Sequence, residues 1–425
     1  MEGYGRLVSI SSDSITVYHQ VGSYCVADSG LVAPFSLYSF DARPGRLSLL
    51  HADYGPENEA PQLRVDLGKL EALPESCTSG SGQASTSPGR VARLLWSAFR
   101  DHFAFFDQRG VDWDSVGRQY LPQADTLRDT SGLFPLLSDM LAPLGDGHVN
   151  LYRGDSSFNA GQSSIRLRAR LAEAWHREGG EGSEGEFVGA WHRTVQESVY
   201  GVLDAGSLRQ AAAGALEWGT IRDSVAYVRM NRFSRLAEGS APRPAQLDTL
   251  RAALRRMSSD IQDAKGVVVD VALNGGGMDA AAFVVAGCFA DRPREALSKA
   301  VRGGHTQAFT LQPHCPLTFS GPVVLLTSEV TASAAETFVL LMRSLPNVTH
   351  VGGRTRGITS SLLPIQLPEG FVVTLSHMEM RDSEGMLYEA TGIPPHVGVE
   401  LFPDGELHTG FTTALTSLAD SLQAL

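Results

Sequence analysis

Three short stretches of this chain set reactive side chains where the local backbone could make them work. LGDGHVNLY carries His148 between a glycine-containing turn and a short apolar strand. Imidazole titrates near neutrality, so His148 is the candidate for accepting a proton. The run Gly275 to Gly277 directly follows a hydrophobic segment, where a chain without Cβ atoms can turn sharply and bring bare N–H groups against a substrate. TASAAETF places Ser333 between the exit loop of one apolar run and the start of a helix. There the unpaired N–H groups and the positive end of the helix dipole can hold an oxyanion. Glu389, in LYEATGIPP, is the carboxylate that could orient an imidazolium.

Each of these residues also has a plainer reading. Ser333-Ala-Ala-Glu336 matches a capping box, in which the serine only caps its helix. His148 is one of 12 histidines, and Glu389 taken alone is a solvated loop carboxylate. NGGGMD lacks the spacing of a dinucleotide fingerprint. The chain has no HExxH, no G-x-S-x-G and no Walker sequence, which removes the common zinc-protease, α/β-hydrolase and P-loop readings. His396, in PPHVGV, reads as structural.

The elements that must position these groups follow from hydrophobic period. Leu7, Val8, Ile10, Ile15 and Val17 alternate like a strand, turn and strand, and Tyr24–Ala27, Phe35–Phe40 and Leu47–Leu50 extend a small β-rich domain over residues 1–75. Residues 76–90, rich in Ser, Gly and Pro, read as a linker. Val91, Leu94, Leu95, Phe99 and Phe103 fall on one helical face, and Leu133, Leu137, Met140 and Leu141 repeat the pattern. A helical subdomain is therefore expected over 91–150, ending at the His148 block. A variable insert is expected over 151–215, with 177–186 as a surface loop, and a catalytic core over 216–425. In the core, the stripe Leu247, Leu250, Leu254, Met257, Ile261 runs into the strand 266–273, the glycine turn leads to a helix, and the strand 321–328 leads to another. Short strand-like pieces and turns are expected from residue 349 to the end. The fold class is α/β (α+β).

The chain has 425 residues, 43% hydrophobic and 19% charged, which is ordinary globular composition. A net charge of −12 makes a nucleic-acid backbone a poor general partner. The longest near-apolar run, 280–290, is too short for a membrane span, which takes about 18 residues. MEGYGRLVSISSD shows neither a basic n-region nor an apolar h-region, so no secretory signal and a cytoplasmic location are expected. Cys25, Cys77, Cys288 and Cys315 form no CxxC pair and are expected to be reduced thiols.

Taken in order, four blocks resemble the S41 family of serine peptidases, the tail-specific or C-terminal-processing proteases and their tricorn-core relatives. LGDGHVNLY is similar to the family's Leu-x-Asp-x-His block, VVVDVALNGGG to its Asp-x-Arg-x-Asn-x-Gly-Gly strand, and TASAAETF to its nucleophile block. GGRTRG followed by YEATGIPPHV is similar to its closing blocks. The likeness covers roughly residues 91–150 and 218–400. It implies a crotonase/ClpP-like core, with Ser333 as nucleophile. Processing proteases draw a lysine base from the block after the Gly-x-x-Thr-x-Gly turn, where this chain has Ile358, and no lysine follows Lys299. The resemblance is therefore to the tricorn-like branch, which implies His148 as base and Glu389 as its carboxylate. It further implies oxyanion N–H groups on Ala334 and on Gly276 or a neighbour one position along, and substrate contacts at Gly275, Gly277 and Thr331. No metal or organic cofactor is implied. The chain departs from the pattern at Ala272, where the family has arginine, at Gly147, where tricorn-like members can carry serine, and at PPHV, which replaces Pro-Asp. No PDZ domain is apparent.

The activity expected is hydrolysis of a peptide bond through an acyl-enzyme on Ser333, with an extended peptide as substrate. Acyl transfer or cyclisation on the same scaffold, with an acyl substrate, stays open, as does a peptide-binding protein with an inactive site.

Overall fold

In this computed structural model the described residues are 2–3, 6–10, 15–21, 24–27, 38–43, 46–51, 64–68, 70–74, 77, 87–161, 165–302 and 304–424. The strands β1 (Glu2–Gly3), β2 (Arg6–Ile10), β3 (Ile15–Val21), β4 (Tyr24–Ala27), β5 (Tyr38–Arg43), β6 (Arg46–His51) and β7 (Arg64–Gly68) form one antiparallel sheet in the order β4-β3-β2-β1-β7-β6-β5. Residues 35–37 of the expected fourth strand, and nearly all of the expected linker before residue 87, lie outside the described residues.

The helices α1 (Pro88–His102), α2 (Phe106–Arg109), α3 (Trp113–Thr126) and α4 (Leu133–Leu141) come next. Val91, Leu95, Phe99, Leu137 and Leu141 are all fully buried, as helical period requires of one face. β8 (Asn150–Arg153) and β9 (Ser156–Asn159) then join a four-stranded sheet, β18-β19-β8-β9, whose other half is β18 (Leu362–Gln366) and β19 (Phe371–Ser376). The core of the helical part is thus shared with Leu363, Ile365, Phe371, Val373 and Leu375, from more than 200 residues further along the chain. The unit that holds His148 is not closed within residues 91–150.

The helices α5 (Arg166–Arg177) and α6 (Glu184–Tyr200) precede the central sheet. Where a surface loop was expected over 177–186, α6 already starts at Glu184. Ser183 accepts from the Glu186 N–H, and the Glu186 carboxylate accepts from the Ser183 N–H, a reciprocal cap.

The central sheet runs β10 (Arg209–Ala211), β11 (Leu216–Ile221), β12 (Val225–Met230), β13 (Gly266–Asp270), β16 (Val323–Thr327), β17 (Val348–Gly352), β21 (Val397–Gly398). It is parallel from β12 onward. β12, β13 and β16 are buried at every position, as continuous apolar runs covered on both faces should be. One face packs on α7 (Arg243–Ile261), α8 (Asp279–Ala286) and α9 (Ala334–Arg343); the other packs on α5, α6 and α10 (Gly410–Gln423). The C-terminal α10 replaces the turns expected there, and Phe411, Leu415, Ala419 and Leu422 supply its buried stripe. A third sheet, β15 (Gln307–Leu311), β14 (Arg294–Val301), β20 (Met378–Asp382), completes the core.

One expectation needs correction. Cys288 and Cys315 are joined in a disulfide, not held as thiols, because the end of α8 and the loop before β16 bring their Cα atoms to 4.6 Å. Where Ala272 stands in place of arginine, the glycine strand draws its cation from elsewhere. Asp270 takes one from the neighbouring strand, with Arg229 Nε at 3.4 Å and the Tyr227 hydroxyl donating at 2.6 Å. Among the described residues no helix is long and apolar enough to cross a membrane.

Candidate active site

Ser333 stands just before α9 with φ 57° and ψ −124°, a left-handed conformation that a non-glycine residue adopts at a cost of about 1–3 kcal/mol. Neighbouring bonds impose it. The Ser333 N–H donates to Glu336 Oε2 at 3.1 Å, and the Ser333 carbonyl accepts from the Glu336 and Thr337 N–H groups. Its hydroxyl makes no capping bond and lies 3.2 Å from His148 Nε2. The capping-box sequence is therefore occupied without using the serine oxygen for the cap.

Glu336 is fully buried and ties the nucleophile loop to the turn after β17. Its carboxylate accepts from Thr355 Oγ1 at 2.6 Å, the Gly357 N–H at 2.7 Å and the Ile358 N–H at 3.0 Å, besides Ser333. Burial pushes this carboxyl above its ordinary range, while its four donors pull the other way.

His148 enters from the start of β8. Its N–H donates to Asp146 Oδ1 at 2.8 Å, and its carbonyl accepts from Thr374 Oγ1 at 2.7 Å, across from β19. Burial lowers the imidazole pKa below the ordinary value; Asp146 pulls it up and Arg356 pushes it down. Gly147 is closely packed, since a Cβ there would lie 3.0 Å from Ile358 Cδ1 and 3.2 Å from Arg356 Nη2.

Glu389 is also buried, but it does not reach the ring. Its Oε1 accepts from Arg109 Nη2 at 2.7 Å, and its Oε2 from the Thr359 N–H, Thr359 Oγ1 and the Ser360 N–H at 2.7, 3.0 and 3.0 Å. The expected direct support of the imidazole by Glu389 is corrected to a charge network. Arg109 also sits 3.3 Å from Asp146, and Asp146 holds the His148 backbone. Burial, and then Asp146, push the Glu389 carboxyl up to about 8 against the pull of Arg109.

The glycine run is shifted from its expected use. Gly276 is buried and its N–H donates to Asn274 Oδ1 at 2.8 Å, so that N–H is not free for an oxyanion. Gly275 and Gly277 on either side are exposed. Phe233 donates to the Gly276 carbonyl and accepts from Met278, which turns the Gly277 N–H away from that bridge. Ala334, on the other side, begins the helix beside Gly276. Thr331 cannot touch substrate: it is fully buried, donating to the Val271 carbonyl at 2.9 Å and accepting from the Ser328 N–H at 3.0 Å. His396 is structural, as read, with Nδ1 accepting from the His350 N–H at 3.1 Å.

Gly276 also predicts a consequence. A Cβ there would lie 2.7 Å from the Ala332 carbonyl oxygen and 2.8 Å from Ser333 Cβ, at φ 103°. Gly276→Ala is therefore expected to push the serine off its position and to lower kcat by about 10²-fold, the cost of roughly 1 Å of misplacement. Steady-state kinetics against wild type reads the loss.

Sequence reasoning missed Arg109 and Asp146. Asp146 was visible two residues before His148, within the same block. Arg109, 280 residues from Glu389, gave no local signal.

A part-buried serine at a helix start, facing a buried histidine on a mixed α/β scaffold, is an arrangement suited to acyl chemistry. Residues 224–399 match the model of peptidase family S41, and residues 93–142 match that of the tricorn protease C1 domain. It is 26% identical over 147 residues to the carboxy-terminal processing protease CtpA of Bacillus subtilis, covering 35% of this chain and 31% of that one. It is 31% identical over 108 residues to tricorn protease homolog 1 of Streptomyces coelicolor, covering 25% and 9%. The matches thus span less than a third of either relative. Among solved structures, a protein from Parabacteroides merdae is similar with a TM-score of 0.61 at 23% identity, over 79% of this chain and 97% of the other. Mature CPAF is similar at 0.56 and 14%, over 78% and 96%. These two likenesses are of fold.

Proposed function

We propose that this chain is a serine peptidase that cleaves peptide bonds through an acyl-enzyme on Ser333. The observation that carries the reading is the 3.2 Å approach of Ser333 Oγ to His148 Nε2, made by a serine held in a strained backbone and free of its own helix cap. As Oγ adds to the substrate carbonyl, its proton passes to Nε2; His148 then returns that proton to the leaving amine, and water repeats the cycle on the ester. The tetrahedral oxyanion is held by the Ala334 N–H at the start of α9 and the Gly277 N–H, one position along from the glycine first expected. Glu389 acts on the pair through the charge network and not by contact.

The test is a mixture of unstructured peptides incubated in heavy-oxygen water, with products read by mass spectrometry. New C-termini carrying the heavy label in the wild type and absent with Ser333→Ala support hydrolysis. Products without label point to acyl transfer or cyclisation, and peptide binding without products points to an inactive receptor.

The pH dependence has a definite sign. An imidazolium cannot accept the serine proton, so kcat/KM falls as pH drops through the His148 pKa. Burial depresses that value, and the acid limb is expected to have its midpoint below the ordinary histidine value of about 6.5. A midpoint well above it would count against His148 as the base.

A further inference from the structure

Two buried polar atoms beside the base have no hydrogen-bond partner: His148 Nδ1 and Asp146 Oδ2. They belong to residues two apart in one turn, already joined through Asp146 Oδ1 and the His148 N–H. Glu389 has no such atom to offer, because both its oxygens are taken by Arg109, Thr359 and Ser360. Of the two carboxylates in the network, only Asp146 has an oxygen without a hydrogen bond, Oδ2, which meets Arg109 Nη2 as an ion pair at 3.3 Å.

We infer that Asp146 is the carboxylate that supports the charge on the His148 imidazolium, and that Arg109 is a positioning residue that holds Asp146 and Glu389 apart and in place. This rests on the Ser333–His148 reading above. When the proton moves from Ser333 Oγ to Nε2, the buried ring becomes positive, and there a nearby negative charge counts for far more than at the surface. Asp146 is fully buried, and Arg109 Nη2 lies 3.3 Å from its Oδ2 and 2.7 Å from Glu389 Oε1. Arg109 is itself anchored by donating to the Gly145 carbonyl at 2.9 Å. The charged groups acting on the ring are Asp146 in its own turn, Arg356 from the turn after β17, Asp279 from α8 and Arg109 from α2. The two acids favour the imidazolium and the two arginines oppose it. Asp146 is the stronger of the acids.

The experiment is the rate of labelling by a fluorophosphonate probe as a function of pH. Asp146→Asn keeps the oxygen that accepts the His148 N–H and removes the charge. It is expected to lower the midpoint of the acid limb by about one unit and to slow labelling on the plateau by roughly 10²-fold. Glu389→Gln should move the midpoint less. Arg109→Gln should move it in the opposite direction, upward, while Arg109→Lys, which keeps the charge, should leave it near wild type; a loosened fold would expose the ring and raise the midpoint in both, so the pair decides the matter if Asp146→Asn does not fold. An Asp146→Asn midpoint equal to wild type, a larger shift from Glu389→Gln, or a midpoint unmoved or lowered by Arg109→Gln would overturn the inference. Ser333→Ala separates the two levels. If it is still labelled, the reading of the site fails and takes this inference with it; if it is inert while Asp146→Asn titrates like wild type, only the inference fails.

Discussion

Ser333→Ala is expected to lower kcat/KM by about 10⁴–10⁶-fold, the range seen when the nucleophile of a serine–histidine pair is removed, while leaving the fold intact. The loss is large because no other group stands in its place. Lys299, the last lysine in the chain, is buried in β14 on Asp279, so it is no substitute base for another nucleophile. The fold should survive because Ser333 Oγ caps nothing, and its N–H and carbonyl, which alanine keeps, make the bonds that hold the loop. Matched circular dichroism and melting curves beside the kinetics separate this outcome from unfolding. A variant that keeps wild-type turnover would remove Ser333 from the mechanism.

The second large effect is on stability. Glu336→Ala strips the acceptor from four donors at once, the N–H groups of Ser333, Gly357 and Ile358 and the Thr355 hydroxyl. Alanine offers nothing in return, and the cavity is closed to water. Orphaned buried donors cost about 1–3 kcal/mol each, with partial relaxation, so the expected loss is on the order of 3–5 kcal/mol. Urea unfolding reads it as a lower midpoint. Glu336→Gln should fall between, since one amide oxygen can still accept. Activity should fall with either variant, because the same carboxylate fixes the Ser333 backbone and the turn that carries Arg356. A Glu336→Ala protein as stable as wild type would show that the turn and the nucleophile loop are held by something else.

Much of this site could be read from the chain. Ser333 at the head of a helix, His148 before a short strand and a glycine turn after a buried strand are local patterns, and local patterns survive folding. Other features depended on what the fold brings together. That Gly276 spends its N–H on Asn274, two residues earlier, is a matter of loop conformation that residue types alone do not fix. Thr331 sits beside the nucleophile in sequence, yet it faces the Val271 carbonyl, because the strand exit must satisfy its own backbone in a dry core. Glu389 and Arg109 meet across 280 residues, and the Cys288–Cys315 bond forms across two chain segments with no spacing signature. Helix α10, in the spacing of Phe411, Leu415, Ala419 and Leu422, and the Ser183–Glu186 cap, in its Ser-x-x-Glu pattern, also rest on local signals in the chain.

The central claim is that Ser333 is activated by His148. The most direct measurement is intact-protein mass after treatment with a fluorophosphonate probe, on wild type, Ser333→Ala and His148→Ala. The account predicts a single adduct on wild type, none on Ser333→Ala and little or none on His148→Ala over the same time. No adduct on wild type, or an adduct that persists in Ser333→Ala, would contradict it.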